Sequence, residues 1–234
     1  MPAIGQTAPA KYQSQLMRIL FLVTLATGVI DGICLLHFKV FTAYMTGTLI
    51  LLGLHLGGAS PLVIPNLIAL ACFGLGAIFG GRLVRRPSLA ALPPTRMLAD
   101  ILGIVTVLIL TAACLTAIRD LAEPAARYVT IALLGIAMGL QIAGSRQIGI
   151  LDMTMPAATM VLHGIFFDSL AAGGKAERQG RRLGVVALLI IGAAIGAALA
   201  SWQVWAGLLC GTGLLAIAAL ASYALARHAA VGTN

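Results

Sequence analysis

The sequence predicts an all-α, polytopic membrane bundle of six full spans plus two interrupted or re-entrant segments. Three observations predict it. The residues are 60% hydrophobic and only 9% charged, with a mean hydropathy of +1.03, whereas a soluble domain carries roughly a quarter charged residues. Eight apolar stretches occupy a chain of 234 residues, and a spanning helix needs about 20, so almost nothing remains for an extramembrane domain. The Lys and Arg residues fall in short clusters between those stretches rather than along them.

The stretches are 17–36, 40–57, 62–81, 97–118, 128–148, 153–172, 183–201 and 203–226. Residues 1–15 are polar, with a single Lys and no short apolar core ahead of a small-residue cleavage site, so the first stretch reads as a retained span and not a signal peptide. Arg82 through Arg96, basic and Pro-rich, reads as a loop. So do the mixed-charge run 119–124 and the basic run 175–182, which follows the helix stop Gly173-Gly174. The whole chain, 1–234, is read as one transmembrane domain with internal halves at about 16–118 and 128–226.

The net charge of +8 would suggest nucleic acid in a soluble protein; here it marks cytoplasmic loops. If all eight stretches crossed, nine basic residues would lie inside and six outside. If 40–57 and 153–172 enter and leave on one side, twelve lie inside and only Lys39, Arg119 and Arg127 outside. The second arrangement is the expected one, with the N-terminus cytoplasmic. It also makes the two halves inverted. Thr46-Gly47 has a counterpart in His163-Gly164 at an offset of 117, and the Gly76–Gly80 stretch has one in Gly192–Gly196 at 116. Inverted repeats with discontinuous helices place a substrate at the breaks.

Few residues carry chemistry. Asp31 lies in the outer half of the first span, where an ionised carboxylate costs a few kcal/mol, roughly 2.5–3.5 at the centre. Two readings are open for it: a proton, cation or substrate site, or a structural carboxylate capping or pairing with Lys39 or His37; it could also accept hydrogen bonds from Thr hydroxyls or from backbone N–H groups at the break in 40–57. Gly28 and Gly32 flank it at a spacing that lets helices approach closely. Thr42, Tyr44, Thr46 and Thr48 put four hydroxyls around Gly47 within seven residues. Such a stretch fits a half-helix facing a polar path, or a complete helix whose threonines bond back to their own carbonyls. The second half offers Gln141, Thr159, His163 and Asp168, with Pro156 and Gly164 as helix breakers. Asp168 is expected to cap, or to pair with Lys175 or Arg178. The four cysteines, Cys34, Cys72, Cys114 and Cys210, lie in apolar stretches without CxxC spacing and read as reduced packing residues. No catalytic, metal-binding or phosphate-binding motif is present, so no enzyme activity and no cofactor are expected.

The runs Gly28-Val29-Ile30-Asp31-Gly32, Val40 through Thr48 and Met138-Gly139-Leu140-Gln141 resemble the YoaK-like family of bacterial inner-membrane proteins, in order and over nearly the whole length. Phe73, Gly76, Ala77, Gly80 and Gly81 fit that family's next helix. The family's first two motifs read approximately Gly-x-Val-Asp-Ala and Val-Phe-x-Ala-Asn-Met-Thr-Gly-Asn. This chain departs at Tyr44, Thr48, Ile142 and His163. The resemblance implies a location and a fold. The function expected from the residues is a small permease, secondary transporter or channel-like pathway for a small solute, with proton coupling open. The alternative is a membrane sensor or assembly partner. The expected surroundings are a lipid bilayer and no nucleic acid; homo-oligomerisation is left open.

Overall fold

A computed structural model of the chain describes residues 10–58, 62–90, 92–150 and 158–231. Among them every regular element is helical: α1 (Ala10–Ile33, continued by a π turn Cys34–Phe38), α2 (Met45–Leu56), α3 (Val63–Val84), the single turn α4 (Pro87–Ala90), α5 (Pro94–Ile118), α6 (Pro124–Ile148), α7 (Ala158–Phe167), α8 (Gln179–Trp202) and α9 (Val204–Val231). Six of these are long and apolar enough to cross a bilayer. Prolines open α5 and α6 at the first helical position, where the missing N–H has no helical partner to lose. Gly149 ends α6 at φ +67°, and extended Gln203 alone separates α8 from α9.

Among the described residues, neither α2 nor α7 is long enough to cross. At 1.5 Å per residue, 12 and 10 residues make helices of about 18 and 15 Å, roughly half of a ~30 Å hydrocarbon core. The stretch 40–57 is a non-helical run through Tyr44 followed by α2, not one broken helix. The stretch 153–172 holds α7 and a 3-10 turn Leu170–Ala172; Pro156 lies outside the described residues. The expected loop 82–96 also needs correcting. It holds the end of α3, the turn α4 begun by Pro87, and the start of α5, because a proline's fixed φ suits a helix's first position.

Direction follows from the contacts. A methyl group added at Gly192 would meet Leu25 and Gly28, and one at Gly196 would meet Val29, so α1 and α8 run parallel. Gly135 faces Ala69 and Cys72, while Gly80 faces Leu140 and Ala143, so α3 and α6 are parallel too. Tyr12 donates to Thr95 Oγ1 at 3.1 Å and the Arg96 guanidinium lies 4.3 Å above the Tyr223 ring. The starts of α1, α5 and α8 and the end of α9 therefore share one face, with α4 and the run 168–178. The end of α1 and the start of α6 share the other, where Arg127 Nη2 donates to the Phe38 carbonyl at 3.4 Å.

Burial sorts the spans into layers. The most apolar windows of α1 and α6 are each 67% buried, against 28 and 22% for α3 and α8 and 33% for both α5 and α9. α1 and α6 form the centre. The others turn large apolar side chains outward, such as Ile64, Ile78, Val107, Ile190 and Leu220. In water that surface would be an aggregation site; in a bilayer it is the lipid contact. α2 packs on α3 and α7 on α8.

Candidate functional site

One face of α1 carries Thr24, Thr27, Asp31 and Cys34, spaced 3, 4 and 3 residues apart, and all four are buried. That spacing stacks them on a single helical stripe. The Thr24 and Thr27 hydroxyls donate to the carbonyls of Leu20 and Val23 at 2.9 Å. Asp31 and Cys34 meet the returning chain, with Cys34 Sγ 3.6 Å from Thr42 Oγ1.

After the π turn the backbone reverses at Lys39, in the left-handed region at φ +56°, and re-enters beside Asp31. There it gives its N–H groups away one by one. Val40 donates to the Cys34 carbonyl, and Phe41 to Thr48 Oγ1 at 2.9 Å. Thr42 donates to Asp31 Oδ1 at 2.7 Å from its N–H and at 2.8 Å from its hydroxyl. Ala43 lies 3.0 and 3.2 Å from the two carboxylate oxygens, and Tyr44 donates to Oδ2 at 3.0 Å. Thr48 also donates to the Phe41 carbonyl at 2.7 Å, closing a reciprocal pair, and Gly47 leaves room for the Phe41 ring. Non-helical backbone at membrane depth persists only when its polar groups are satisfied. Here one carboxylate and one hydroxyl satisfy four consecutive N–H groups. The carboxylate also sits just ahead of α2, where the helix dipole favours negative charge.

Of the partners the sequence offered Asp31, the backbone N–H groups and a Thr hydroxyl of the 40–57 stretch are the ones present, and Lys39 is not. Lys39 Nζ turns instead to the Leu36 carbonyl; at the membrane-depth position of Asp31, backbone donors supply the hydrogen bonds that Lys39 or His37 was expected to make.

Gln141, fully buried on α6, reaches across the seam to α1 and donates from Nε2 to Thr27 Oγ1 at 2.8 Å. Among the described residues its Oε1 has no partner, and neither does Ser145 Oγ one turn further along α6. Each buried unpaired polar atom costs about 1–3 kcal/mol.

The structure brings Asp31, the Tyr44 backbone and Thr48 together, with Gln141 one helical turn below at Thr27. Thr46, Thr159 and His163 are exposed on the half-helices and stand outside this cluster; the His163 ring stacks on Phe167 at 5.2 Å. Gly164 carries a different role. It lies against the Arg182 guanidinium, which donates from Nη1 to the Gly164 carbonyl and to Asp168 Oδ2, both at 2.6 Å. Arg182, only 5% exposed, places positive charge at the C-terminal end of α7, where the dipole favours it. Asp168 therefore pairs with Arg182, one turn inside α8, not with the Lys175 or Arg178 of the preceding loop that the sequence suggested. The sequence reading missed Arg182, Thr27 and Ser145. Arg182 was hidden in a basic run, and the two hydroxyls looked like ordinary helix residues.

The expected glycine contacts form two matched crossings. Gly28 and Gly32 of α1 lie on Gly192 and Ala193 of α8, with Gly196 on Val29, while Gly76 and Gly80 of α3 lie on α6 at Ile136, Gly139 and Leu140. Gly135 and Gly139 complete the second crossing.

A family model described as "Protein of unknown function (DUF1275)" matches residues 19–221. The UPF0700 transmembrane protein YoaK of Bacillus subtilis (strain 168) is 29% identical over 160 residues, 68% of this chain and 68% of that protein. No solved structure matches. The match runs from the first span into the last and takes in the Asp31 cradle, both half-helices and both glycine crossings: the chain belongs to the DUF1275 family, as the YoaK-like motifs led one to expect.

Proposed function

We propose that the protein is a small-solute permease of the bacterial cytoplasmic membrane, with its N-terminus cytoplasmic, and that its path follows the seam between α1 and α6. The observation that carries this reading is the placement of two non-crossing half-helices. α2 starts at depth beside Asp31 and α7 ends at Arg182 near the start of α8, so the two enter from opposite faces, each with its N-terminal end the deeper. Half-helices of this kind border the substrate sites of secondary transporters.

An inverted repeat fits the same contacts. Pair α1 with α6, α2 with α7, α3 with α8 and α5 with α9. The contact α1–α8 then maps onto α6–α3, α1–α9 onto α6–α5, and α2–α3 onto α7–α8, while α5–α9 maps onto itself; all of these are present. The burial of the paired spans agrees as well, 67 with 67%, 28 with 22% and 33 with 33%. Since α1 runs away from the basic face and α6 toward it, the relating axis lies in the membrane plane. One contact breaks the pattern: α8 packs on α9, held close by the single residue between them, whereas α4 spaces α3 from α5.

In this reading Asp31 fixes the re-entrant chain and does not itself carry solute. The unpaired Gln141 Oε1 and Ser145 Oγ are the polar groups left in the seam for a solute bearing hydrogen-bond donors. The glycine crossings join α1 to α8 and α3 to α6 as two close pairs, which are the bodies that rock against each other. The test is flux into proteoliposomes, measured by osmotic swelling and isotope uptake with polyols, amides and amino acids. Wild-type protein passes at least one class, and Gln141→Leu lowers that flux at least tenfold without lowering the melting temperature. Folded wild-type protein that passes nothing beyond empty liposomes ends the proposal.

A further inference from the structure

At the basic face, the start of α1 and the end of α9 enclose a groove of about 670 Å³ lined by Gln15, Arg18, Ile19, Leu22, Ala221, Ala224, Leu225 and His228. The lining follows a strict rule. On α1 it is Gln15, Arg18, Ile19 and Leu22; on α9 it is Ala221, Ala224, Leu225 and His228. Each set is one helical face at i, i+3, i+4 and i+7. The helices are antiparallel, so Gln15 and Arg18 stand at the same level as His228, at the membrane surface. Ile19, Leu22, Leu225 and the two alanines lie deeper. The groove is polar and basic at its mouth and apolar down its length. Ala221 and Ala224 make it concave, since a larger side chain at either position would fill it. Neither Arg18 nor His228 forms a salt bridge among the described residues.

We propose that this groove is a binding site for one anionic phospholipid of the leaflet at the basic face. The headgroup phosphate sits on Arg18 and His228, with Gln15 donating beside them, and the first part of an acyl chain lies along Ile19, Leu22 and Leu225. The polarity gradient selects the occupant: a free anion leaves the apolar wall empty, and a zwitterionic lipid brings its own cation beside Arg18 and His228, which an anionic lipid does not. Basic pockets between spanning helices bind anionic headgroups in this way. The site is independent of the solute path, since none of its residues lies on the seam.

Native mass spectrometry of the full chain released from nanodiscs of mixed phosphatidylglycerol and phosphatidylcholine tests it. Wild-type protein is expected to retain one phosphatidylglycerol in clear preference to phosphatidylcholine. Arg18→Gln weakens that retention by about fivefold, the worth of one basic residue at a membrane surface. Ala224→Leu keeps every charge, fills the groove and removes the retained lipid. Both variants keep the wild-type melting temperature in detergent without phospholipid, which separates lost binding from lost folding. Equal retention of the two lipids overturns the proposal, as does a phosphatidylglycerol preference that Ala224→Leu leaves unchanged. Displacement of the lipid by inorganic phosphate alone would reassign the site to a free anion and overturn it as well.

Discussion

At Asp31 a single side chain answers the question that non-helical backbone poses inside a membrane. Its two oxygens take the N–H groups of Thr42, Ala43 and Tyr44 and the Thr42 hydroxyl. Every partner is a donor, so the cradle suits a carboxylate and opposes an amide. Asp31→Asn turns an NH₂ toward N–H groups and is expected to destabilise the protein by about 3 kcal/mol, given 1.5–3 kcal/mol for each hydrogen bond to a charged group. Thr48→Val removes the reciprocal pair with Phe41 and is expected to cost about 2 kcal/mol on the same scale. Thermal unfolding in detergent reads both; an Asp31→Asn protein as stable as wild type would show that the cradle does not hold the re-entrant chain. The cradle also explains two departures from the family motif. Tyr44 acts through its backbone N–H, so the asparagine that the family places there is exchangeable with it. At position 48 an asparagine also donates and accepts. Asp31, Thr48 and Gly47 stood out in the sequence, which also offered Asp31 the hydroxyls and N–H groups of 40–57, but not which residues would supply them. A buried carboxylate announces that it needs a partner; a backbone N–H is common to nearly every residue and leaves no mark that identifies it.

At the scale of elements, the half-helices were legible as apolar stretches with polar or breaking residues inside, and among the described residues both are too short to cross. The repeat was only partly legible. Gly28 and Gly76 are 48 residues apart, whereas the residues in equivalent contacts, Gly139 and Gly192, are 53 apart. In the pairing proposed above, the longer connection around α7 shifts the register, so α3 and α8 align at an offset of 116 while α1 and α6 align at 111. A search at one offset meets only half of such a pairing. Added methyl groups at Gly76 and at Gly192 both strike backbone carbonyl oxygens of the partner helix, those of Ile136 and Leu25. Those carbonyls cannot retreat without moving a helix. Gly76→Leu and Gly192→Leu are each expected to destabilise by at least the 1–3 kcal/mol typical of overpacking, and by similar amounts, because the two crossings are alike. Gly103, whose added methyl meets nothing, is the control, and Gly103→Leu is expected to leave the melting temperature within the range of surface changes. A large loss at one crossing and none at the other would break the equivalence of the halves.

For the molecule as a whole, the distribution of basic residues bears on which face is cytoplasmic. The contacts place the start of α1, the turn α4, the run 168–178 and the end of α9 together, and that face carries twelve of the fifteen basic residues. Basic loops stay on the cytoplasmic side because short segments rich in Lys and Arg resist translocation. An eight-span chain would separate these loops, and its weaker bias of nine to six would follow from treating α2 and α7 as crossings, for which their 12 and 10 described residues are too few. Labelling of single cysteines from outside intact cells checks the orientation, in a background where the four native cysteines are replaced, since Cys114 is itself exposed. Ser88→Cys in α4 and Glu177→Cys in the second basic run report on the inner face. Both positions are exposed, and Glu177 is preferable to Gln179, whose side chain donates to the Ile165 carbonyl and holds α7 to α8. Ala122→Cys, in the turn between α5 and α6, reports on the outer face. A charged, membrane-impermeant maleimide is expected to modify Ala122→Cys in intact cells and to reach the other two only after the membrane is opened. Reversed labelling of all three would invert the orientation and leave the fold standing. Labelling of Ser88→Cys and Glu177→Cys from different sides would mean that an odd number of helices separates them, and six spans cannot provide that.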